Sequence, residues 1–245
     1  ISRVQQAANR WVQTNGPPSV IHTPVALLLD FYSGWSFPRH LYTDHTYRVW
    51  GNRPYEPGDY FTDAVLDLLY PGYQDSSYFH DERGFITPTP FGDIADCLLS
   101  DAPQWALDRY AVVVVAGELS GGREIRDKLQ AFAKRGGHVV ITTGNLAKLP
   151  GGLAGCTGIS ASTNLTCGKG RVTILASPFG VKVAENPGSL RSETDKPLPK
   201  PCSLDAIVKG ELEKIFRAQQ LFAVQGDGLS FITCRRSAGE YWIGI

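Results

Sequence analysis

The feature that most constrains the fold is a strand, an amphipathic helix, a glycine pair and a second strand that follow one another mid-chain. Residues 110–116 are a continuous apolar run, as expected of a strand that is buried on both faces. A helix begins after Ser120 and ends at Gly136-Gly137, and residues 138–143 read as the next strand. The apolar face of the helix consists of Ile125, Leu129, Phe132 and Ala133. This βαβ unit predicts a parallel sheet with a right-handed crossover.

The rest of the chain adds elements of the same kind. Val25–Leu29 is another continuous apolar run of strand length. Further strands are predicted at 96–99 and 171–176, and further helices at 2–14, 61–69 and 204–222. Residues 228–234 and 240–245 alternate in polarity across 235–239, which predicts an antiparallel hairpin. The predicted class is α/β, an open parallel sheet with flanking helices and a short antiparallel hairpin at the C-terminus.

Three segments are predicted along the chain. Residues 1–23 form a connector helix and linker, residues 24–184 form the α/β domain with an aromatic insertion at 31–92, and residues 185–245 form a Pro-rich linker, a helix and the start of a β-domain. The sequence contains no methionine, and its last residues stop inside a predicted strand. We therefore expect a fragment or a processed chain.

Charge and motifs exclude several classes of partner. The chain carries 24 basic and 24 acidic residues, which removes the electrostatic reason to propose nucleic acid or an anionic membrane as a partner. Its apolar runs are too short to span a bilayer. Ser120-Gly-Gly resembles a phosphate-binding turn, but neither a P-loop lysine nor a full G-x-G-x-x-G accompanies it. We favour helix capping there and expect no cofactor.

Two carboxylates follow strands of the predicted sheet. Asp30 comes directly after Val25–Leu29, and Glu118 comes two residues after the 110–116 run. Ligands of doubly wound sheets bind beyond the carboxyl ends of the strands, so the pair could serve as general acid and base of a hydrolase. The alternative, which we favour, is that both cap helices or bind loop amides. A nucleophile elbow is missing, because Thr143 stands where a serine or cysteine between glycines is required.

Residues 31–92 are rich in aromatic side chains, interleaved with histidines, arginines and carboxylates. Long insertions in compact domains are usually functional. This composition suits the faces and hydroxyl rims of sugars, and the alternative is an interface or self-packing role. The ligand-binding candidates are Tyr32, Trp35, His45 and Trp50, together with Asp101 after a neighbouring strand. The histidines lack the spacing of a helical metal site, so no metal is expected.

The five cysteines include no C-x-x-C pair, which argues against a structural zinc site. Cys156 and Cys167 flank a Gly/Ser/Thr-rich stretch and are predicted to close a short loop as a disulfide. Asn164, between them, begins an N-glycosylation sequon. Together these features favour a secreted or extracellular protein. The alternative is two buried thiols and a chance sequon, which leaves a cytoplasmic location open.

The 107–119 run, the segment Ala131-Phe-Ala-Lys-Arg-Gly-Gly137 and the strand after it resemble the class I glutamine amidotransferase-like domain, and imply a flavodoxin-like sheet. In particular, they resemble the trimerisation domain that follows the catalytic barrel in family-42 β-galactosidases. Val25–Asp30 resembles the first strand of that domain. Amidotransferases need a cysteine at the elbow and a downstream His/Glu pair. Here the turn carries Thr142-Thr143 and no histidine follows His138, so the resemblance implies no glutamine hydrolysis.

Three functions stay open at this level. The preferred hypothesis is a non-catalytic scaffold or oligomerisation domain of a larger, glycoside hydrolase-like protein, which self-associates or packs on a catalytic barrel of the same parent. The second is a glycan-binding module that uses residues 31–80. The third is a hydrolase that uses Asp30 and Glu118. We expect the chain to lack a complete active site of its own.

Overall fold

The computed structural model describes residues 2–16, 20–31, 57–71, 89–182, 202–226 and 231–244. Its helices are α1 (Arg3–Asn15), α2 (Pro57–Leu69), α3 (Gln104–Leu107), α4 (Arg123–Arg135), α5 (Thr143–Ala147) and α6 (Ala206–Arg217). Its strands are β1 (Val20–Ile21), β2 (Val25–Leu29), β3 (Ala95–Leu99), β4 (Val112–Val115), β5 (His138–Thr142), β6 (Thr163–Cys167), β7 (Gly170–Leu175), β8 (Phe179–Lys182), β9 (Cys202–Leu204), β10 (Ile232–Ser237) and β11 (Glu240–Gly244).

In this part of the chain, six strands form one sheet in the order β3-β2-β4-β5-β7-β6. The neighbours from β3 to β7 pair in parallel, and β6 joins the far edge antiparallel to β7. Strands β2 and β4 are buried along their whole length, as their continuous apolar runs predict. The open, mostly parallel α/β sheet that was predicted from the sequence is therefore confirmed.

Helices cover both faces of this sheet. Because successive side chains of a strand point to opposite sides, each buried strand contributes apolar side chains to both faces of the sheet. On one face the strands pack against α2 and α6, and the cluster includes Val25, Leu27, Val112, Val114, Phe61, Val65, Leu212 and Phe216. On the other they pack against α4, and the cluster includes Ala26, Leu28, Val113, Val115, Leu129 and Phe132. The C-terminal helix α6 thus contributes to the same core as the first strands of the sheet.

A separate antiparallel sheet has the order β1-β10-β11 and contains the predicted C-terminal hairpin. The hairpin turn is tighter than predicted, because Ser237 already pairs with Glu240. The sequence predicts a turn over residues 235–239, but residues 235–237 extend β10 with exposed side chains. The ring of Trp11 on α1 lies 5.4 Å from that of Trp242 on β11, so α1 packs against this sheet.

The edge strand β6 was predicted wrongly. Residues 163–167 were expected in a loop, but they form β6, which pairs with β7 from Thr163↔Ile174 to Cys167↔Gly170. Two residues, Gly168 and Lys169, connect the strands, and Gly168 has a φ of 62°. β6 is an edge strand with polar, exposed residues along it, so it lacks the apolar pattern of the inner strands. No helix in the described part of the chain is long and apolar enough to cross a membrane.

Candidate functional site

Asp30 lies directly after β2, at the carboxyl edge of the sheet, and its side chain connects three loops. It is only 5% exposed. Its Oδ1 accepts a 3.0 Å hydrogen bond from Ser100 Oγ, and its Oδ2 accepts the backbone N–H of Ser120. Ser100 Oγ in turn accepts the N–H of Phe31 at 3.0 Å. The Asp30 carboxylate thus holds the ends of β2, β3 and β4 together.

Glu118 lies at the same edge, in the loop after β4. Its Oε2 accepts the backbone N–H of Gly58 at 2.8 Å, and its Oε1 forms an ion pair with Lys148 Nζ. Gly58 is the second residue of α2, so a carboxylate stands at the positive end of this helix, where the helix dipole favours negative charge. Glu118 therefore anchors the start of α2 on the sheet.

Asn145 organises the turn after β5. The residue is 2% exposed, its Oδ1 accepts the N–H of Leu119 at 3.0 Å, and its Nδ2 donates to the carbonyl of Gly117 at 2.8 Å. Thr142 caps α5, because its Oγ1 accepts the N–H of Asn145 at 3.2 Å. Thr143, the first residue of α5, occupies the strand-to-helix corner. The amide of Asn145 thus fixes the loop that carries Glu118.

The turn before α4 differs from the predicted capping site. Gly121 and Gly122 have φ values of 87° and 115°, and α4 begins only at Arg123. Among the described residues no side chain caps this helix, since Gly122 stands at the N-cap. The amide of Ser120 is bonded to Asp30 instead. The prediction that Ser120 caps the helix was therefore wrong. The backbone amide of Ser120 belongs instead to the hydrogen-bond network around Asp30.

The predicted site residues fall into two groups. Asp30 and Glu118 follow the adjacent parallel strands β2 and β4, and Asp101, which is exposed, follows β3 at the same edge. Lys128 Nζ donates to the carbonyl of Asp101 at 3.4 Å. The remaining ligand-binding candidates lie outside the described residues; they are Tyr32, Trp35, His45 and Trp50. No group of three or more potential metal ligands occurs in the described part of the chain.

Sequence reasoning missed Asn145 and Gly58 as elements of this site. Asn145 gives no signal, because nothing in the sequence distinguishes an amide that binds a neighbouring loop from one in solvent. Gly58 was missed because the predicted helix began at residue 61, whereas α2 begins at Pro57 and brings Gly58 against the loop of Glu118.

The two cysteines that were predicted to form a disulfide are free thiols in the structure. Cys167, at the end of β6, is buried in the core on the α4 face of the sheet, whereas Cys156 is partly buried and lies beside the carbonyl of Ala154. The thiol of Cys167 thus packs as an apolar side chain, as the alternative of two buried thiols predicted for it, whereas Cys156 is only partly buried. Asn164 is exposed on β6, and its glycosylation stays a prediction.

A second cluster of polar residues lies at the amino edge of the sheet, opposite the carboxyl edge. His138 begins β5, and its Nε2 lies 2.8 Å from Thr173 Oγ1, which in turn donates to Asn164 Oδ1. His138 Nδ1 is buried and has no hydrogen-bond partner among the described residues. Burial, and secondarily the charge of Arg171, lowers the pKa of His138 to about 4. The imidazole is therefore neutral at pH 7.

Comparison with models of protein families and with curated protein sequences gives no match to this chain. The assignment of function consequently depends on the residues themselves. At the carboxyl edge, the carboxylates of Asp30 and Glu118 and the amide of Asn145 are all engaged by groups of neighbouring loops. The arrangement fixes three loops and the start of α2 on the sheet.

Proposed function

We propose that this chain is a non-catalytic scaffold or oligomerisation domain of a larger carbohydrate-active protein. One observation carries the non-catalytic part. The polar side chains at the carboxyl edge, where ligands of such sheets bind, are hydrogen-bonded to the backbone amides of Ser120, Gly58 and Leu119. A general base has to be free to take a proton from substrate, whereas these groups are held by the fold itself.

The corner after β5 supports the same proposal. An acyl-transfer enzyme of this class needs a nucleophile at the strand-to-helix turn with a base in hydrogen-bond reach. The turn carries Thr143, and the last histidine of the sequence, His138, begins β5 and so stands at the opposite edge of the sheet. Its neutral imidazole is bonded to Thr173. These positions argue against hydrolysis of glutamine or of an ester at this corner.

The carbohydrate-active parent is supported by the resemblance to the domain that follows the barrel in family-42 β-galactosidases. The aromatic composition of residues 31–92 is consistent with contact to a sugar or to a protein surface. A parent whose catalytic carboxylates lie on a barrel gives this chain a supporting role. Self-association or packing on that barrel would then be its contribution.

Two measurements test the proposal. The purified chain should show no turnover on a panel of glycosides and glutamine, and light scattering should show self-association. Activity that is lost in Asp30→Asn and Glu118→Gln, with the fold retained by circular dichroism, would favour the hydrolase alternative. A strictly monomeric chain that binds glycans in calorimetric titration, and loses binding in Trp35→Ala or Trp50→Ala, would favour the glycan-binding alternative.

A further inference from the structure

The outer edge of β3 carries backbone groups that no described strand pairs with. Within the described residues β3 is an end strand, bound only to β2. The carbonyl of Ile94 accepts the N–H of Val25, and the N–H of Ser100 donates to Leu29, so the even-numbered residues direct their backbone groups to β2. Backbone groups alternate in direction along a strand. Those of the odd-numbered residues, Ala95, Cys97 and Leu99, therefore point away from the sheet.

The exposed side chains of β3 are apolar. Cys97 is exposed and Leu99 is 44% exposed, whereas the exposed residues of β6, at the opposite end of the sheet, are Asn164 and Thr166. Edge strands that avoid pairing usually carry lysine, proline or a bulge. β3 has the sequence Ala-Asp-Cys-Leu-Leu and pairs with β2 without a register shift, so it has none of these. The edge is therefore suited to receive another strand.

The one charge on β3 is already satisfied within the chain. Asp96 Oδ2 accepts a 2.7 Å hydrogen bond from Thr23 Oγ1 and a 3.1 Å hydrogen bond from the hydroxyl of Tyr110. The carboxylate thus lies on the face of the strand opposite to that of Cys97 and Leu99, since successive side chains alternate. No charged side chain of β3 stands on the face that carries the exposed apolar residues.

We propose that β3 pairs antiparallel with β3 of a second copy of this chain, about a twofold axis at Cys97, so that the two sheets become continuous. This inference rests on the proposed function as an oligomerisation domain and names one surface that it would use, a twofold contact distinct from the threefold assembly that the resemblance implies. A second copy is the occupant that the strand itself favours, because its odd-numbered residues are complementary to themselves. Cys97 exchanges both backbone hydrogen bonds with its counterpart, and the N–H of each Leu99 donates to the opposite Ala95 carbonyl.

The register follows from charge, size and strand length. Centring the pair on Asp96 would place two carboxylates directly opposite each other, which is destabilising. Centring it on Leu98 would pair only Cys97 with Leu99 within the strand, because the partners of Ala95 and Asp96 would lie beyond Leu99, where its carbonyl accepts the N–H of Ala102 at 3.0 Å and the strand ends. With Cys97 at the axis, each Leu99 side chain lies opposite a small Ala95, so a large residue meets a small one on the same face.

Cross-linking tests the register in the intact chain. Cα atoms of a hydrogen-bonded antiparallel pair lie about 5.5 Å apart, within the range for a disulfide. Diamide should therefore link the copies, taking up one hydrogen from each Cys97 thiol as it is reduced to the hydrazine. The cross-linked dimer should form in the wild type and in Cys156→Ser, and be lost in Cys97→Ser. A dimer band that persists in Cys97→Ser overturns the register.

A charge on the edge tests the pairing itself. Leu99→Lys should raise the dissociation constant of the dimer at least ~10-fold, because the lysine would have to lose its hydration beside Ala95 of the other copy. Thr166→Lys on β6 is the matched control and should leave the dissociation constant of the dimer unchanged. If a folded Leu99→Lys variant dimerises with an unchanged dissociation constant, pairing through β3 is wrong, but the proposed oligomerisation is not contradicted. A wild-type chain that is monomeric up to roughly 100 µM contradicts both.

Discussion

The backbone amide of Gly58 donates a 2.8 Å hydrogen bond to the carboxylate of Glu118, and this bond joins the first turn of α2 to the loop after β4. The contact requires the two backbones to approach closely. A Cβ at position 58 would lie 2.3 Å from the backbone nitrogen of Glu118 and 2.5 Å from its Cα. Only glycine fits there without displacing the helix.

Gly58→Ala should therefore lower the free energy of unfolding by about 1–3 kcal/mol, the usual cost of overpacking. Gly210→Ala is the matched control, because Gly210 lies in α6 with open space around its Cβ position. That change should raise stability by about 0.5–1 kcal/mol through helix propensity. Urea denaturation of both variants measures the difference, and equal stabilities would refute the close contact.

Asn145→Ala removes both hydrogen bonds that fix the loop after β4. It leaves the N–H of Leu119 and the carbonyl of Gly117 without their partner in a buried position. We expect a loss of about 2–4 kcal/mol, because a buried group that is left unsatisfied costs ~1–3 kcal/mol. Asn15→Ala, which removes an exposed amide at the end of α1, should change stability by less than ~0.5 kcal/mol. Similar losses in the two variants would show that the Asn145 clamp is energetically unimportant.

Stability should depend on pH through His138. Its folded-state pKa of about 4 lies below the usual 6.5, so between these values the unfolded chain binds a proton that the folded chain does not. Stability is therefore fully present above pH 6.5 and is lost as the pH falls towards 4, by up to ~3 kcal/mol. Unfolding free energies between pH 4 and 7 measure this slope.

His138→Val supplies the control for that prediction, since a β-branched apolar residue suits a buried parallel strand. The variant removes the titrating group and should flatten the profile in this window. Other groups that titrate in the window act equally on both proteins, so the difference between the two curves reports on His138. A slope that is the same in both would exclude His138 as its source.

The state of the cysteines gives a further prediction. Because Cys156 and Cys167 are free in the structure, both should react with N-ethylmaleimide when the chain is denatured without a reductant. In the folded chain Cys167 should be protected, since it is buried in the core, while Cys156 is partly accessible. Mass spectrometry of the peptides measures both. If Cys156 and Cys167 stay unlabelled because a disulfide joins them, the disulfide predicted from the sequence would be correct.

Most of the sheet was predictable because its inner strands carry a pattern that few other structures produce. The apolar runs of β2 and β4, and the helix and glycine stop before β5, placed the core and the carboxyl edge correctly. The edge strand β6 was missed because one of its sides is solvated, so its polar residues were taken to indicate a loop. The pairing of β1 with β10 was also missed, since a two-residue strand has no period to detect.

The site was less predictable than the fold. The topology brought Asp30 and Glu118 to one edge, as expected, because β2 and β4 are parallel neighbours. What each carboxylate binds depends on loops whose conformation is set by tertiary contacts: Ser120 with Asp30, and Gly58 with Glu118. No local sequence pattern encodes such pairs, which are 90 and 60 residues apart.

The order of the strands has a consequence for how the chain folds. The β4-α4-β5 unit is contiguous in sequence and can form through short-range contacts, whereas β2 must reach β4 across the residues between Leu29 and Val112. Loop-closure entropy grows only logarithmically, so doubling that separation costs about 0.6 kcal/mol. We expect β2 to dock late and slowly on a preformed unit. Because the entropic cost grows so slowly with length, insertions between β2 and β4 should reduce the free energy of unfolding only slightly.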